Sequence, residues 1–211
     1  MPTPIIYGTE FSTYVRTARM TLEEKSAAYE LRDVSVIKGE QKMAAHLARN
    51  PFGTVPAFEH DGLKFYETSP IIRYVDQVFA GPTLTPEDPR DRVRMNHIIS
   101  IIDYHGYGSM ILQIVVQRLF TALVGATDEK VVAAGIPKAK LCLQEIERIQ
   151  AGDSFLAGKQ LSLADLYLVP IVFYLRLTPE NTLLSPHRGL AAWWETMSQR
   201  PSVRKTQPNL G

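Results

Sequence analysis

Cysteine is almost absent from this sequence, and its scarcity excludes several chemistries. The 211 residues include a single cysteine, Cys142, so no internal disulfide can form and a reducing compartment is expected. A Cys-x-x-Cys pair is excluded too, and with it a dithiol oxidoreductase. Cys142 lies among Leu141, Leu143 and Ile146 on a predicted helix, so we interpret it as a small core residue.

The sequence also lacks an excess of charge of either sign. It has 23 basic and 22 acidic side chains, a balance that indicates neither nucleic acid nor a membrane surface as a partner. No uninterrupted apolar run approaches the roughly 18 residues that a membrane-spanning helix needs. The start of the chain is short and polar, and no secretory signal follows it. We therefore expect a cytoplasmic protein.

Two kinds of cofactor site lack the residues that they require. The histidines have no spacing typical of metal ligands, such as His-x-x-x-His, so we expect no metal site. They are His46, His60, His97, His105 and His187. Gly8 follows the first predicted strand without the partner glycines of a dinucleotide-binding loop, which argues against a Rossmann site.

The first 80 residues have instead an alternation of short strands and helices. Strands are predicted at 5–7, 28–36, 55–58 and 63–66, and helices at 13–24, 42–47 and 69–79. The initial βαβ unit implies parallel strands with a right-handed crossover. Asp61-Gly62 is a strong hairpin signal, so the last two strands are antiparallel. A mixed four-stranded sheet flanked by helices is therefore predicted.

A proline-rich stretch then separates this region from a helical one. Residues 81–89 hold three prolines and a glycine and predict a linker. Helices are predicted after it at 90–124, interrupted near Gly106 and Gly108, then at 128–150 and 166–175, with a final one that carries Trp193 and Trp194. Ser162 and Asp165 match a capping box before the third. We expect one domain at 1–80, a linker at 81–89 and a helical domain at 90–211.

The segment NPFGTVP, residues 50–56, carries the first candidate binding feature. A proline at the start of a strand usually lies in a constrained turn, so we predict a cis bond between Val55 and Pro56. Such a bond would turn the amide and carbonyl of Val55 outward, where an extended peptide-like ligand could pair with them. Glu67 and Thr68 then precede a helix whose free N–H groups suit a carboxylate. These features predict a site for a small charged peptide.

Four motifs, in this order, resemble those of the glutathione S-transferases over almost the whole chain. The stretch 7–13 is similar to the start of serine-type members, 50–56 to the cis-proline segment, 67–68 to the Glu-Ser motif and 161–165 to the second-domain folding motif. The chain resembles a serine-type, bacterial or phi-like branch. The resemblance implies an α/β thioredoxin-like N-terminal domain, an all-α C-terminal helical domain, a cytosolic homodimer, and glutathione as co-substrate.

The resemblance also implies which residues bind glutathione. These are Gln41, Lys42, Thr54, Val55, Pro56, Glu67 and Thr68. The backbone of Val55 would pair with the cysteinyl unit, Thr68 would hold the γ-glutamyl carboxylate, and Glu67 would face the ligand's ammonium. Lys42, with Gln41 beside it, is a candidate for the glycyl carboxylate, and a merely solvated lysine is the alternative. Serine-type members often have histidine and glutamine where this chain has Gln41 and Thr54.

Conjugation needs the glutathione thiolate, because the thiolate is the nucleophile. A free thiol has a pKa of about 8.5. One hydrogen bond to a charged group contributes roughly 1.5–3 kcal/mol, or about one to two pKa units, so no general base is required. Ser12, at the strand-to-helix junction, is the catalytic candidate, with an ordinary helix N-cap as the alternative reading. Tyr7 is the rival, since other branches use a tyrosine at the end of the first strand.

An apolar pocket for the electrophile is expected between the two domains. The candidates are Phe11 and Tyr14 on one side and Tyr104, Tyr107, Ile111 and Val115 on the other, with plain core packing as the alternative for the second group. Phe52 resembles an aromatic residue that some relatives insert into the partner subunit, and packing within its own chain is the alternative.

The predicted function is attack of the bound glutathione thiolate on a small hydrophobic electrophile. A glutathione-dependent isomerase, dehalogenase or peroxidase would share the thiol site and differ in the apolar pocket. A non-catalytic glutathione-binding protein is the alternative from another class. Because no cysteine lies near Ser12, transfer of a thiol through a mixed disulfide is not expected.

Overall fold

The structure, a computed structural model, describes residues 2–209 and divides into two units. The first unit takes in the described residues up to Thr83 together with those from Arg200 onward, and the second runs from Leu84 to Gln199. The sequence led us to expect the whole of 90–211 in the helical domain. The structure instead groups the segment that begins at Arg200 with the first unit.

The sheet of the first unit has four strands, β1 (Ile5–Tyr7), β2 (Glu30–Arg32), β3 (Ala57–His60) and β4 (Leu63–Tyr66). Their order is β2-β1-β3-β4, with β1 parallel to β2 and antiparallel to β3, and with β3 antiparallel to β4. The predicted mixed sheet is confirmed. Strand β2 is shorter than the predicted 28–36, because β1 offers it only three residues to pair with.

Two helices of the first unit cover one face of this sheet. They are α1 (Thr13–Glu24) and α3 (Thr68–Val78), and the short α2 (Ala44–Leu47) lies between them in sequence, after a 3₁₀ turn at Glu40–Lys42. The core under α1 and α3 consists of Ile6, Val15, Ala18, Leu22, Phe58, Ile71 and Val75. Side chains alternate along a strand, so Tyr7 belongs to a second, smaller cluster with Val34 and Ala57.

The second unit is helical throughout its regular structure. Its helices are α4 (Pro89–Ile101), α5 (Val116–Leu119), α6 (Thr121–Val124), α7 (Glu129–Gln150), α8 (Leu163–Leu175) and α9 (Arg188–Ser198), with a 3₁₀ turn at Pro179–Leu184. Cys142 on α7 is 4% exposed, and burial raises the pKa of its thiol. Its predicted place in the core is confirmed.

The stretch Ile102–Val115 joins α4 to α5 as a π-helix. Its wider turns close hydrogen bonds between residues five apart, as from the amide of Val116 to the carbonyl of Ile111. The predicted interruption near Gly106 and Gly108 is therefore a change of helix type and not a break. By length and composition the continuous helix Pro89–Leu119 could cross a membrane, but half of its apolar window is buried inside the protein, and core helices pass the same test.

Helix α8 begins at the predicted capping box. The carboxylate of Asp165 accepts hydrogen bonds from the amides of Leu156 and Ser162, each at 2.8 Å, from the Ser162 hydroxyl at 2.7 Å, and from the indole N–H of Trp193 at 2.8 Å. Burial raises the pKa of Asp165, and these four hydrogen bonds oppose the rise. The box fixes where α8 starts and ties it to α9.

A last helix, α10 (Pro201–Lys205), packs within the first unit. Arg200 forms an ion pair with Glu24 at 2.7 Å, and the hydroxyl of Ser202 donates to the same carboxylate. The guanidinium of Arg16, a fully buried side chain of α1, donates to the carbonyl of Val203 at 3.0 Å. These contacts are the physical reason that the end of the described chain belongs with α1.

Candidate functional site

The register of the sheet brings three chain segments to one edge. Tyr7 at the end of β1 pairs with Ala57 at the start of β3, and Ala57 pairs with Tyr66 at the end of β4. The turn from β1 into α1, the segment 50–56 before β3, and the start of α3 after β4 therefore leave the sheet at the same edge. Each of these segments carries one of the predicted binding motifs.

Ser12 lies in the first of these segments, as the N-cap of α1. Its Oγ accepts a hydrogen bond from the amide of Val15 at 3.3 Å. An accepting hydroxyl still has its proton to donate, and within residues 2–209 no acceptor takes that proton. Gly8 makes the segment possible, because a Cβ there would lie 2.4 Å from Cγ2 of Val15 and 3.2 Å from Cβ of Val55. As an N-cap, Ser12 uses an oxygen lone pair, and as a thiolate donor it would use its hydroxyl proton. The two roles are therefore compatible.

Tyr7, the rival to Ser12, is directed to the opposite face of the sheet. It is 4% exposed, and its hydroxyl accepts a hydrogen bond from Nη1 of Arg32 at 3.1 Å. The guanidinium of Arg49 lies 4.3 Å from the centre of its ring, a cation–π contact. Tyr7 therefore packs on the face of the sheet away from the core under α1, whereas Ser12 caps α1.

The segment 50–56 is held from within by a buried asparagine. Asn50 is 1% exposed, and its Nδ2 donates to the carbonyl and to the hydroxyl of Thr54, both at 2.9 Å. Its Oδ1 accepts from the amide of Phe52 at 3.1 Å. The Val55-Pro56 bond is cis, as predicted. Neither the amide nor the carbonyl of Val55 has a hydrogen-bond partner in the part of the chain that the structure describes, so both are available to a ligand.

Lys42 lies against the same segment. Its Nζ donates to the carbonyl of Phe52 at 3.0 Å, and a Cβ on Gly53 would lie 2.8 Å from that nitrogen. The ammonium has three donors, so this contact leaves two for an anion. The side-chain Oε1 of the neighbouring Gln41 is buried, and among residues 2–209 nothing donates to it.

Glu67 and Thr68 form the third part of the edge. Glu67 has a φ of 74°, which is rare for a residue with a side chain and costs roughly 1–3 kcal/mol. Such strain is found at ligand sites, where the surrounding structure maintains it. Thr68 opens α3 and is 4% exposed, yet its hydroxyl has no partner in the described chain. That hydroxyl and the first-turn amides of α3 can hold a carboxylate.

The other predicted contact residues differ in how far their side chains are buried. In the first unit Phe11 and Tyr14 are half-buried, and Phe52 is 66% exposed with its ring edge-on to Tyr66. In the second unit Tyr104 is 82% exposed, whereas Ile111 is 5% exposed and belongs to the core.

Tyr107 is half-buried, and burial raises the pKa of its phenol. The core position of Ile111 leaves little of its surface for a ligand, and Val115 is fully buried.

A cavity that the sequence did not reveal lies elsewhere in the second unit. Its volume is about 310 Å³, and its lining includes Arg176, Leu184 and Trp194. The guanidinium of Arg176 lies 5.4 Å from the centre of the Trp194 ring. No local motif marks this cavity, because its walls come from α8, the 3₁₀ turn and α9. Within residues 2–209 no group of His, Cys, Asp or Glu side chains could hold a metal ion.

Comparison with known protein families shows which family this chain belongs to. The glutathione S-transferase N-terminal domain matches residues 6–83, and the glutathione S-transferase C-terminal domain matches residues 107–201. This chain belongs to the glutathione S-transferase family. The predicted family, thioredoxin-like and helical folds, and transferase reaction with glutathione as co-substrate are confirmed.

Plant glutathione S-transferases are among its relatives. The chain is 34% identical to the probable glutathione S-transferase GSTF1 of Oryza sativa subsp. japonica over 208 residues, which are 96% of this chain and 95% of the relative. The crystal structure of glutathione transferase F7 from Populus trichocarpa superposes with a TM-score of 0.87 at 30% identity over 97% of each chain. Glutathione S-transferase I from mais, in complex with an atrazine glutathione conjugate, has a TM-score of 0.85 at 30% identity and covers 98% of this chain and 97% of its own.

Proposed function

We propose that this transferase holds glutathione along the sheet edge formed by the end of β1, the start of β3 and the start of α3, and activates its sulfur with the hydroxyl of Ser12. The observation that carries the proposal is that three segments at one edge keep hydrogen-bonding groups without partners in the described chain. They are the Ser12 hydroxyl proton, the Val55 amide and carbonyl, and the Thr68 hydroxyl. A tripeptide has a complementary group for each.

The ligand's backbone and its γ-glutamyl end have separate partners. The amide and carbonyl of Val55 pair with the cysteinyl unit as a strand pairs with its neighbour. The hydroxyl and amide of Thr68 hold the γ-glutamyl carboxylate, which the N-terminal end of α3 also favours. Exposed Glu67 faces the ligand's ammonium, and Lys42 with Gln41 faces the glycyl carboxylate. Thr54 and Pro56 hold Val55 in place between them.

The sulfur then lies where the Ser12 hydroxyl can donate to it. The thiol loses its proton to water, and the hydrogen bond from Ser12 stabilises the thiolate that remains. The N-terminal end of α1 adds a favourable dipole. We favour Ser12 over Tyr7 because Tyr7 packs with Val34 and Ala57 on the face of the sheet away from α1, whereas Ser12 caps α1.

The second substrate is a small hydrophobic electrophile, in keeping with detoxification. Half-buried Phe11 and Tyr14 of the first unit are the residues proposed to contact it. The solved maize relative with an atrazine glutathione conjugate supports aryl electrophiles as the class to screen. We also propose a cytoplasmic homodimer in which exposed Phe52 contacts the partner subunit.

The test separates the hydroxyl of Ser12 from its capping role. Glycine is almost as good an N-cap as serine, within a few tenths of a kcal/mol, so Ser12→Gly keeps α1 and removes the donor. We expect the pKa of bound glutathione, followed by the ultraviolet absorbance of its thiolate, to rise by about one to two units. Turnover at neutral pH should fall about 10- to 100-fold in step, while Tyr7→Phe changes neither quantity. A thiol pKa that is the same in Ser12→Gly and in the unchanged protein would remove Ser12 from the role.

A further inference from the structure

The carbonyl of Thr54 accepts hydrogen bonds from two buried side chains. Nε2 of His46 lies 2.8 Å from this oxygen, and Nδ2 of Asn50 lies 2.9 Å from it. His46 is 3% exposed and Asn50 is 1% exposed. A carbonyl oxygen has two lone pairs, so these donors fill its capacity. A loop carbonyl usually has water as its partner, so two buried donors on one oxygen indicate that its direction matters.

The direction of this carbonyl fixes the direction of a group in the binding site. The carbonyl of Thr54 and the amide of Val55 belong to one planar peptide unit, in which the C=O and N–H bonds point in opposite directions. Two donors that hold the oxygen on the protein side therefore direct the Val55 N–H away from the protein. That N–H has no partner within residues 2–209, and it is the donor proposed to pair with the cysteinyl unit.

We propose that His46 is a positioning residue for glutathione, and that it acts through the Thr54–Val55 peptide without touching the ligand. The inference rests on the proposed function, because it takes Val55 as a glutathione contact. The chemistry of His46 suits this task. Since Nε2 faces a carbonyl, this nitrogen carries the hydrogen. Nδ1 is buried with no partner in the described chain, so Nε2 is the ring nitrogen through which His46 bonds there.

The position of His46 in the fold explains how it can act as a fixed support. It lies on the single turn of α2, and the chain comes back past it through the turn at 50–53. The amide of Asn50 donates to the carbonyl of His46 at 2.9 Å, so the two donors to Thr54 are themselves linked through the backbone. Loss of either donor frees the peptide to rotate.

A set of matched variants tests the proposal by calorimetry of glutathione binding. His46→Leu removes the donor and keeps an apolar side chain of similar size, and we expect glutathione affinity to fall about 3- to 10-fold. Turnover at saturating glutathione should not change, because Ser12 is untouched. His46→Gln places an amide N–H near the position of Nε2 and should restore the affinity.

His60 provides the control, because it is buried in the same unit with the same kind of bond. It is 4% exposed, and its Nε2 lies 3.0 Å from the carbonyl of Pro2, away from the site. His60→Leu should lose stability as His46→Leu does and keep its affinity for glutathione. Equal affinities of His46→Leu and His60→Leu, or no recovery in His46→Gln, would overturn the inference. If the unchanged protein gave no heat of binding, the proposed function itself would fail instead.

A measurement on the unchanged protein covers the case in which His46→Leu does not fold. Nuclear magnetic resonance of the protein labelled with nitrogen-15 histidine reports which ring nitrogen carries hydrogen. We expect the His46 ring hydrogen on Nε2, protected from exchange, with protection that increases when glutathione saturates the site. A His46 ring protonated on Nδ1 alone, or an Nε2 hydrogen whose exchange is the same with and without glutathione, would contradict the proposal.

Discussion

Thr68, at the start of α3, is 4% exposed, and its hydroxyl has no partner in the described chain. Solvent still reaches this hydroxyl, so a bound carboxylate would replace water as its partner. At this position serine and threonine both supply a hydroxyl donor, and valine has the shape of threonine without the hydroxyl.

We expect Thr68→Val to weaken glutathione binding about tenfold or more, because a hydrogen bond to a charged carboxylate is lost. Thr68→Ser should keep most of the affinity. Thr21→Val is the matched control, since Thr21 is a fully buried threonine whose hydroxyl donates to the carbonyl of Thr17 at 2.9 Å inside α1. Titration calorimetry on the three variants decides the matter, and an affinity of Thr68→Val equal to that of Thr21→Val would exclude Thr68 from the site.

Predictions for single residues were confirmed where the signal lies in neighbouring residues. They missed contacts that form only after the chain has folded back on itself. Ser12 as a cap and the cis bond at Pro56 followed from neighbouring residues alone. The role of His46 did not, because its bond to Thr54 exists only once the turn at 50–53 has reversed the chain. The sequence showed His46 only as one of five histidines without metal-ligand spacing, and it indicated no role for His46.

At the scale of elements, the start of α8 depends on one carboxylate. Asp165 binds two amides, one hydroxyl and one indole N–H. Asp165→Ala leaves those donors buried and unsatisfied, so we expect a loss of about 3–5 kcal/mol in the free energy of unfolding. Ser162→Ala removes only one of the four bonds and should cost about 1 kcal/mol. Chemical denaturation measures both losses. Equal losses would show that the Asp165 carboxylate contributes no more stability than the Ser162 hydroxyl.

The pairing of α10 with α1 should depend on pH. Burial raises the pKa of Glu24, but the hydrogen bonds from Arg200 and Ser202 outweigh it, and the net pKa is lowered. A lowered carboxyl pKa stabilises the folded state at pH values above the ordinary pKa, and the stabilisation is lost as the pH falls through the folded pKa. The protection of the amides of residues 202–205 against hydrogen exchange, measured relative to the intrinsic exchange rate at each pH, should therefore fall severalfold as the pH falls below 4.5, the ordinary value. Glu24→Gln should show low protection at neutral pH and no such fall.

Element boundaries were predictable where a cap or a partner defines them. The start of α1 is predicted by its N-cap, Ser12, and the start of α8 by the capping box. Strand β2 was predicted too long because alternation in sequence cannot reveal that its neighbour, β1, has three residues. The π-helix at Ile102–Val115 was predicted as a break, because glycines signal breaks and carry no information about the turn width.

For the whole molecule, Phe52 is the side chain on which the proposed dimer depends. A phenylalanine that is 66% exposed has few contacts to lose within its own chain. We expect Phe52→Asp to weaken self-association about 30-fold or more, as for a central interface residue. Leu177→Asp is the control, since Leu177 is also exposed, at 47%, and lies after α8. Analytical ultracentrifugation gives the association constants, and a Phe52→Asp protein that associates like Leu177→Asp would refute the dimer role.

The first unit is completed by residues from both ends of the described chain, and this affects how the protein is made. On the ribosome, Arg200 is synthesised 176 residues after its partner Glu24 on α1, and Ser202 follows 178 residues after Glu24. Until then Glu24 has neither of these two partners, and the helix that starts at Ser12 lacks one of its neighbours. The first unit therefore cannot complete these contacts until the second unit, which lies between the partners in the sequence, has been synthesised.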